Sequence, residues 1–149
     1  MDILVLNGPN LNMLGIREPD IYGTQTYNTL VDICHEAGRE AGFDNVVVEQ
    51  SNHEGKLIDM IQQSYGIFSG IIINPAAYTH TSIAILDALK AVGIPAIEVH
   101  ISAVEQREEF RQISYAGMAC FETITGEGLE GYRHAIHDMA KHLGLESSN

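Results

Sequence analysis

Apolar residues along this chain follow two rhythms. Short β-branched and aliphatic runs at 2–6 (DILVL), 45–49 (NVVVE), 70–73 (GIII), 96–99 (AIEV) and 119–123 (ACFET) have the length and character of strands. Between them, amphipathic spacing predicts helices over about 26–41, 54–65, 79–92 and 129–143, with a shorter helical turn over 104–114. Gly42, Gly93 and Gly144 fall where helix C-termini favour a left-handed residue, and Pro95 follows just after the third helix. Alternating strands and helices predict one domain: a five-stranded, doubly wound parallel α/β sheet with right-handed crossovers. No linker, repeat or low-complexity segment interrupts the pattern, and only 146–149 reads as a frayed tail.

In an open parallel sheet, ligands bind beyond the carboxyl ends of the strands, near the point where strand order reverses. The first strand runs into NGPN at 7–10, the third into NPAAYTH at 74–80 and the fourth into His100, Ile101 and Ser102. These loops offer amides (Asn10, Asn74), imidazoles (His80, His100), a hydroxyl (Ser102), a carboxylate (Glu98) and guanidinium groups (Arg17, Arg107, Arg111). Three of the five arginines sit in or just after the loops although the formal net charge is -12, so a local positive patch for a small anion is expected. The same net charge, with only 8 Lys and Arg, argues against nucleic acid and anionic membrane surfaces as partners. Nothing resembling a targeting or membrane-spanning segment occurs, which points to the cytoplasm. Cys34 and Cys120 have no ligand-like spacing and are expected to be reduced and buried.

Several chemistries lose support on detail. Neither G-x-G-x-x-G nor G-x-x-x-x-G-K-[ST] follows the first strand, so a nucleotide phosphate cradle is not expected. A phospho-acceptor domain would want clustered Asp residues where Asn7, Asn10, Asn74 and His100 stand. Lys56, Lys90 and Lys141 fall in predicted helices, away from a Schiff-base position, and Ser82 and Ser102 lack a nucleophile elbow. Glu98 and His100 alternate on one strand face and, with His80, would suit a metal-dependent hydrolase. His134, His137, Asp138 and His142 recur at helical spacing and read more simply as a solvated helix face than as an adventitious ion site. A non-catalytic small-acid binding protein is the other alternative. Proton transfer fits best: Tyr22, ordinarily with a pKa near 10, becomes a usable base beside a cation such as Arg17. Gly15, Pro19 and Gly23 punctuate this loop, so residues at about 15–24 are expected to form a mobile lid.

The segments NGPNLNMLGIREPDIYG (7–23), IINPAAYTHTSIA (72–84) and EVHIS (98–102) with REEFR (107–111) resemble the type II 3-dehydroquinate dehydratases over nearly the whole chain. That resemblance implies a flavodoxin-like fold, a homo-oligomer (commonly a dodecamer built from trimers), and a reaction with no cofactor, metal or imine. It implies reversible anti elimination of water from 3-dehydroquinate to 3-dehydroshikimate through an enolate, in the shikimate or quinate pathway. By resemblance, Tyr22 is the base and Arg17 supports its phenolate. Asn10 holds a water against the enolate oxygen, His100 protonates the leaving hydroxyl, and Glu98 orients that imidazole. Asn74, the Ile101 amide and Ser102 take the substrate carboxylate, while His80, Asp87 and Arg111 hold ring hydroxyls. Leu86, Ala103, Glu105 and Gln106 depart from residues frequent in the family, none at a catalytic position.

Overall fold

Five strands and four helices carry the predicted rhythm in a computed structural model that describes residues 1–16, 25–104 and 107–145. The strands are β1 (Asp2–Asn7), β2 (Asn45–Gln50), β3 (Gly70–Asn74), β4 (Ala96–His100) and β5 (Glu122–Thr125). The helices are α1 (Tyr27–Ala41), α2 (Glu54–Gln63), α3 (Ile83–Val92) and α4 (Glu130–His142). The sheet order is β2-β1-β3-β4-β5 and every pairing is parallel. This is the flavodoxin-like doubly wound arrangement, with its switch point between β1 and β3.

Strand alternation divides the core between the two faces. Ile3, Val5, Ile72, Ile97, Val99 and Ile124 pack under α1 and α4, whereas Leu4, Leu6, Ile71, Ile73 and Ala96 pack under α2 and α3. Both faces are covered, so the strands read as nearly continuous apolar runs. In α1 the buried positions Leu30, Ile33, Cys34, Ala37 and Ala41 recur at helical spacing. Thr26 and Thr29 close a capping box at its start, and Gly42, at φ 94°, closes its end.

Three boundaries depart from the sequence expectation, each for a physical reason. The third helix begins at Ile83, because Ser82 caps it by accepting from the Ile85 amide at 2.9 Å. The preceding Ala76–His80 segment is a 3-10 turn, which keeps Thr79 and His80 at the sheet edge. The last strand starts at Glu122, not at 119. Ala116–Ala119 forms another 3-10 turn, and Ala119 and Cys120 are apolar because they pack against the core on the α3 side. Within 104–114, Glu109–Arg111 forms a 3-10 turn in place of a continuous helical segment. Gln112 braces that loop by donating to the carbonyls of Val104, Arg107 and Glu108.

The ends of β1 and β3 are locked closely together. The Gly8 amide donates to the Asn74 carbonyl at 2.7 Å, and a Cβ on Gly8 would lie 2.4 Å from the Pro75 carbonyl oxygen. Both contacts are with backbone, so Gly8→Ala must separate the two loops. The expected cost is about 1–3 kcal/mol of stability, read as a lower urea midpoint. An unchanged midpoint would show that the loops part freely.

Candidate active site

A cavity of about 180 Å³ opens at the carboxyl edge of the sheet, over the β1/β3 switch point. Asn10, Asn74, His80, His100, Ile101, Ser102 and Arg111, drawn from three separate loops, all line it. Arg107 lines it too, and Leu11, Met13, Leu14 and Val104 supply apolar wall. The cavity thus pairs two guanidinium groups with amides and imidazoles, in keeping with the anion site expected from the arginine distribution. The Glu108 carboxylate accepts from Arg111 Nε at 2.7 Å, a bond that helps fix the guanidinium.

The loop after β1 is held from the side by the end of β2. Asn10 adopts φ 72°, a left-handed conformation that asparagine tolerates, and its amide donates to Asn52 Oδ1 at 3.0 Å. Gln50 Nε2 reaches the Gly8 carbonyl at 3.1 Å and Asn52 Oδ1 at 3.0 Å. Asn10 therefore stands at the cavity wall on a braced turn.

Beneath the cavity, Glu98 is 1% exposed. A buried carboxylate is costly unless its lone pairs are satisfied. Here Oε2 accepts from Thr79 Oγ1, from Ser114 Oγ at 2.6 Å and from His100 Nε2 at 2.8 Å, while Oε1 accepts from Thr123 Oγ1 at 3.1 Å. Burial pushes the carboxyl up, but the His100 imidazole and the Ser114 and Thr79 hydroxyls outweigh it and hold Glu98 at about 2. An ionised carboxylate only accepts, so His100 Nε2 carries its hydrogen in this contact. Nδ1 is left without a partner among the described residues. Gly117 is glycine for room: a Cβ there would lie 2.8 Å from Glu98 Oε1 and 3.0 Å from Ser114 Oγ.

On the opposite face of the sheet, Asn74 Oδ1 accepts from the Ala76 amide at 3.1 Å, and Asn74 Nδ2 donates to the buried Tyr132 hydroxyl at 2.9 Å. Ala76, at φ 53°, is a non-glycine residue in the left-handed region, and this carboxamide bond helps hold it there.

Of the other residues singled out in the sequence, Asp87 is exposed on α3 and does not line the cavity. Arg17, Tyr22 and most of 15–24 lie outside the described residues, as do Glu105, Gln106 and 146–149. In the Glu98, His100 and His80 trio, the Glu98 oxygens are committed to N–H and O–H donors and His80 Nδ1 contacts the Ile113 carbonyl at 2.8 Å. Among the described residues, the group whose ligand atoms lie within 4.8 Å of one another is instead Glu122, His134 and Asp138, on β5 and α4. His134 there pairs with Glu127 at 2.9 Å and Asp138 at 3.1 Å. Burial, the Asp138 hydrogen bond and its charge push the Glu122 carboxyl up to about 7. His137 meets Glu40 at 2.9 Å and His142 stacks on Phe121, so this helix face carries pairings of its own. Thr79, Ser114, Thr123 and Tyr132 were not anticipated as site residues, and each earns its place through a partner distant in sequence.

The fold and the cleft define a flavodoxin-like α/β protein with a buried carboxylate–imidazole pair beneath a cavity lined by two arginines. The family model for dehydroquinase class II matches residues 1–140. A 3-dehydroquinate dehydratase of Clostridium perfringens (strain SM101 / Type A) is 50% identical over 144 residues, 96% of this chain and 98% of the relative. One from Corynebacterium glutamicum (strain R) is 52% identical over 140 residues, 93% of this chain and 94% of the relative. Among solved structures, the type II dehydroquinase from Butyrivibrio crossotus DSM 2876 matches with a TM-score of 0.89 at 53% identity, over 95% of this chain and 97% of that one. The chain belongs to the class II dehydroquinase family.

Because Glu98 lies below its ordinary value of 4.5, its ionised form stabilises the fold above that pH, and the contribution is lost as pH falls towards 2. Glu98→Gln is therefore expected to be less stable than wild type at pH 7, with the gap narrowing as pH drops below 4.5. Paired urea titrations across this range test it. A gap that does not change with pH contradicts a Glu98 carboxyl held below its ordinary value.

Proposed function

We propose that this chain is a type II 3-dehydroquinate dehydratase, removing water from 3-dehydroquinate to give 3-dehydroshikimate. The observation that carries the reading is the Glu98–His100 pair, buried below and opening into a cavity lined by Asn10, Asn74, Ser102, Arg107 and Arg111. That cavity offers cations and amide donors for a carboxylate, a polarised imidazole for a leaving hydroxyl, and no lysine among the described residues lining it. Family membership supports the same reaction.

In this reading the reaction begins with the Tyr22 phenolate, favoured by Arg17, which takes the proton on the carbon beside the ketone. The electron pair moves into an enolate, whose oxygen is stabilised by a water held on Asn10. His100, its Nε2–H held by Glu98, acts in its doubly protonated form: the proton on Nδ1 passes to the β-hydroxyl, and the C–O bond breaks anti to the lost proton, releasing water and the conjugated enone. Asn74, the Ile101 amide and Ser102 hold the carboxylate, and His80 and Arg111 hold ring hydroxyls. Asp87 lies on the α3 surface, so its part in substrate contact is assigned here to a second copy of the chain. No cofactor or metal enters these steps. Residues 1–149 form a single catalytic domain with a lid at about 15–24, working in the cytoplasm as a homo-oligomer, a dodecamer arranged as a tetramer of trimers.

Incubation with 3-dehydroquinate is expected to give the ultraviolet absorbance of an enone carboxylate, undiminished by chelator or by borohydride added with substrate. Tyr22→Phe and His100→Ala are each expected to lower kcat by about 10²–10⁴-fold, with substrate affinity kept within a few-fold. Chelator-sensitive turnover overturns the metal-free mechanism, and near-normal turnover in Tyr22→Phe overturns the base assignment.

A further inference from the structure

Asn7 and Asn74 stand opposite each other in the register of β1 and β3, and both are buried. They lie on the face covered by α4, where Tyr132, fully buried, joins them. The direction of each hydrogen bond in this group follows from its chemistry. Asn74 Oδ1 accepts from the Ala76 amide, so the other end of the carboxamide is the Nδ2 donor. Nδ2 gives one hydrogen to the Tyr132 oxygen at 2.9 Å. The phenol has a single proton and donates it to Asn7 Oδ1 at 2.6 Å. Burial holds the phenol well above its ordinary range, so that proton stays in place. The second Nδ2 hydrogen of Asn74 has no acceptor among the described residues, and Asn74 lines the cavity.

We propose that Tyr132 is a positioning residue: through its hydroxyl, tied to Asn7, it fixes the Asn74 carboxamide so that the free Nδ2–H serves as a donor to the carboxylate of the bound substrate. The inference rests on the dehydratase reading. Asn74 would hold a group remote from the bonds that break, so its contribution is equal in ground state and transition state and belongs to KM. A phenylalanine keeps the ring and its packing but removes the acceptor for Nδ2 and the donor to Asn7. The carboxamide then turns to seek other partners.

Steady-state kinetics of the full-length protein with 3-dehydroquinate test this. Tyr132→Phe is expected to raise KM about tenfold with kcat within about twofold. In an Asn74→Ala background the same substitution is expected to change KM by less than about twofold, because the group it positions is gone. A purely structural role predicts a lower melting temperature with unaltered KM, or an equal effect in both backgrounds, and either result overturns the proposal. Should the variant not fold, ¹⁵N spectra of wild-type side-chain amides decide. The Asn74 Nδ2 resonance must shift on addition of 3-dehydroquinate, and an unshifted resonance overturns the role. Wild-type turnover separates the two claims: its absence removes the dehydratase reading and this inference with it, whereas turnover with unaltered KM in Tyr132→Phe overturns the inference alone.

Discussion

The Glu98 carboxylate sets the terms for the rest of the site. It is a charge taken out of water, and such a charge persists only if every nearby dipole is turned towards it. Thr79 comes from the turn after β3, Ser114 from the long loop after β4, Thr123 from β5, and His100 from two residues along the same strand. Satisfying one carboxylate therefore fixes the relative positions of four segments. It also accounts for local features that otherwise look arbitrary, including the 3-10 turn that carries Thr79 ahead of α3 and the small residue at Gly117. The imidazole above it inherits a defined orientation, with Nε2–H on the carboxylate and Nδ1 at the other edge of the ring.

The second polar group, Asn7, Asn74 and Tyr132, lies on the other face of the same sheet edge. Strand alternation makes this division unavoidable. Glu98 and His100 share a face with Ala96, while Asn7 and Asn74 share one with Val5 and Ile72. Each face has its own apolar core beneath its polar group. The two groups meet only above the strand ends, where the loops curl over the switch point and the cavity lies. The site is thus built by two independent buried networks, each anchored on a rigid strand end, with arginines from the loop after β4 closing the rim.

Much of this could be read from the sequence because the signals were local. Periodicity locates the strands and helix faces, and the rule that ligands gather at strand ends picks out Asn10, Asn74, His100 and Ser102. What escaped was non-local. Nothing near Thr79, Ser114 or Thr123 indicates that they converge on Glu98, and Tyr132 looks like any helix-face aromatic until the register sets Asn7 beside Asn74. The shift of β5 from 119 to Glu122 has the same origin: Ala119 and Cys120 are apolar for packing against α3, and a short run of that kind does not distinguish a strand from a packed turn. Asp87 was named through resemblance, and its place on the surface of α3 follows from a helical period that puts Leu86 and Leu89 in the core instead.

The order of the residues beneath the cavity depends on Glu98 being ionised although it is buried. Carbon-13 NMR of protein labelled at the glutamate carboxyls, with Glu98 assigned by its loss in Glu98→Gln, measures that ionisation directly. At about pH 3.5, where an ordinary glutamate is mostly protonated, the Glu98 carbon should still show the carboxylate shift. A Glu98 resonance that titrates with a midpoint at or above 4.5 contradicts this, because the hydroxyls and the imidazole around it would then not outweigh the cost of burial.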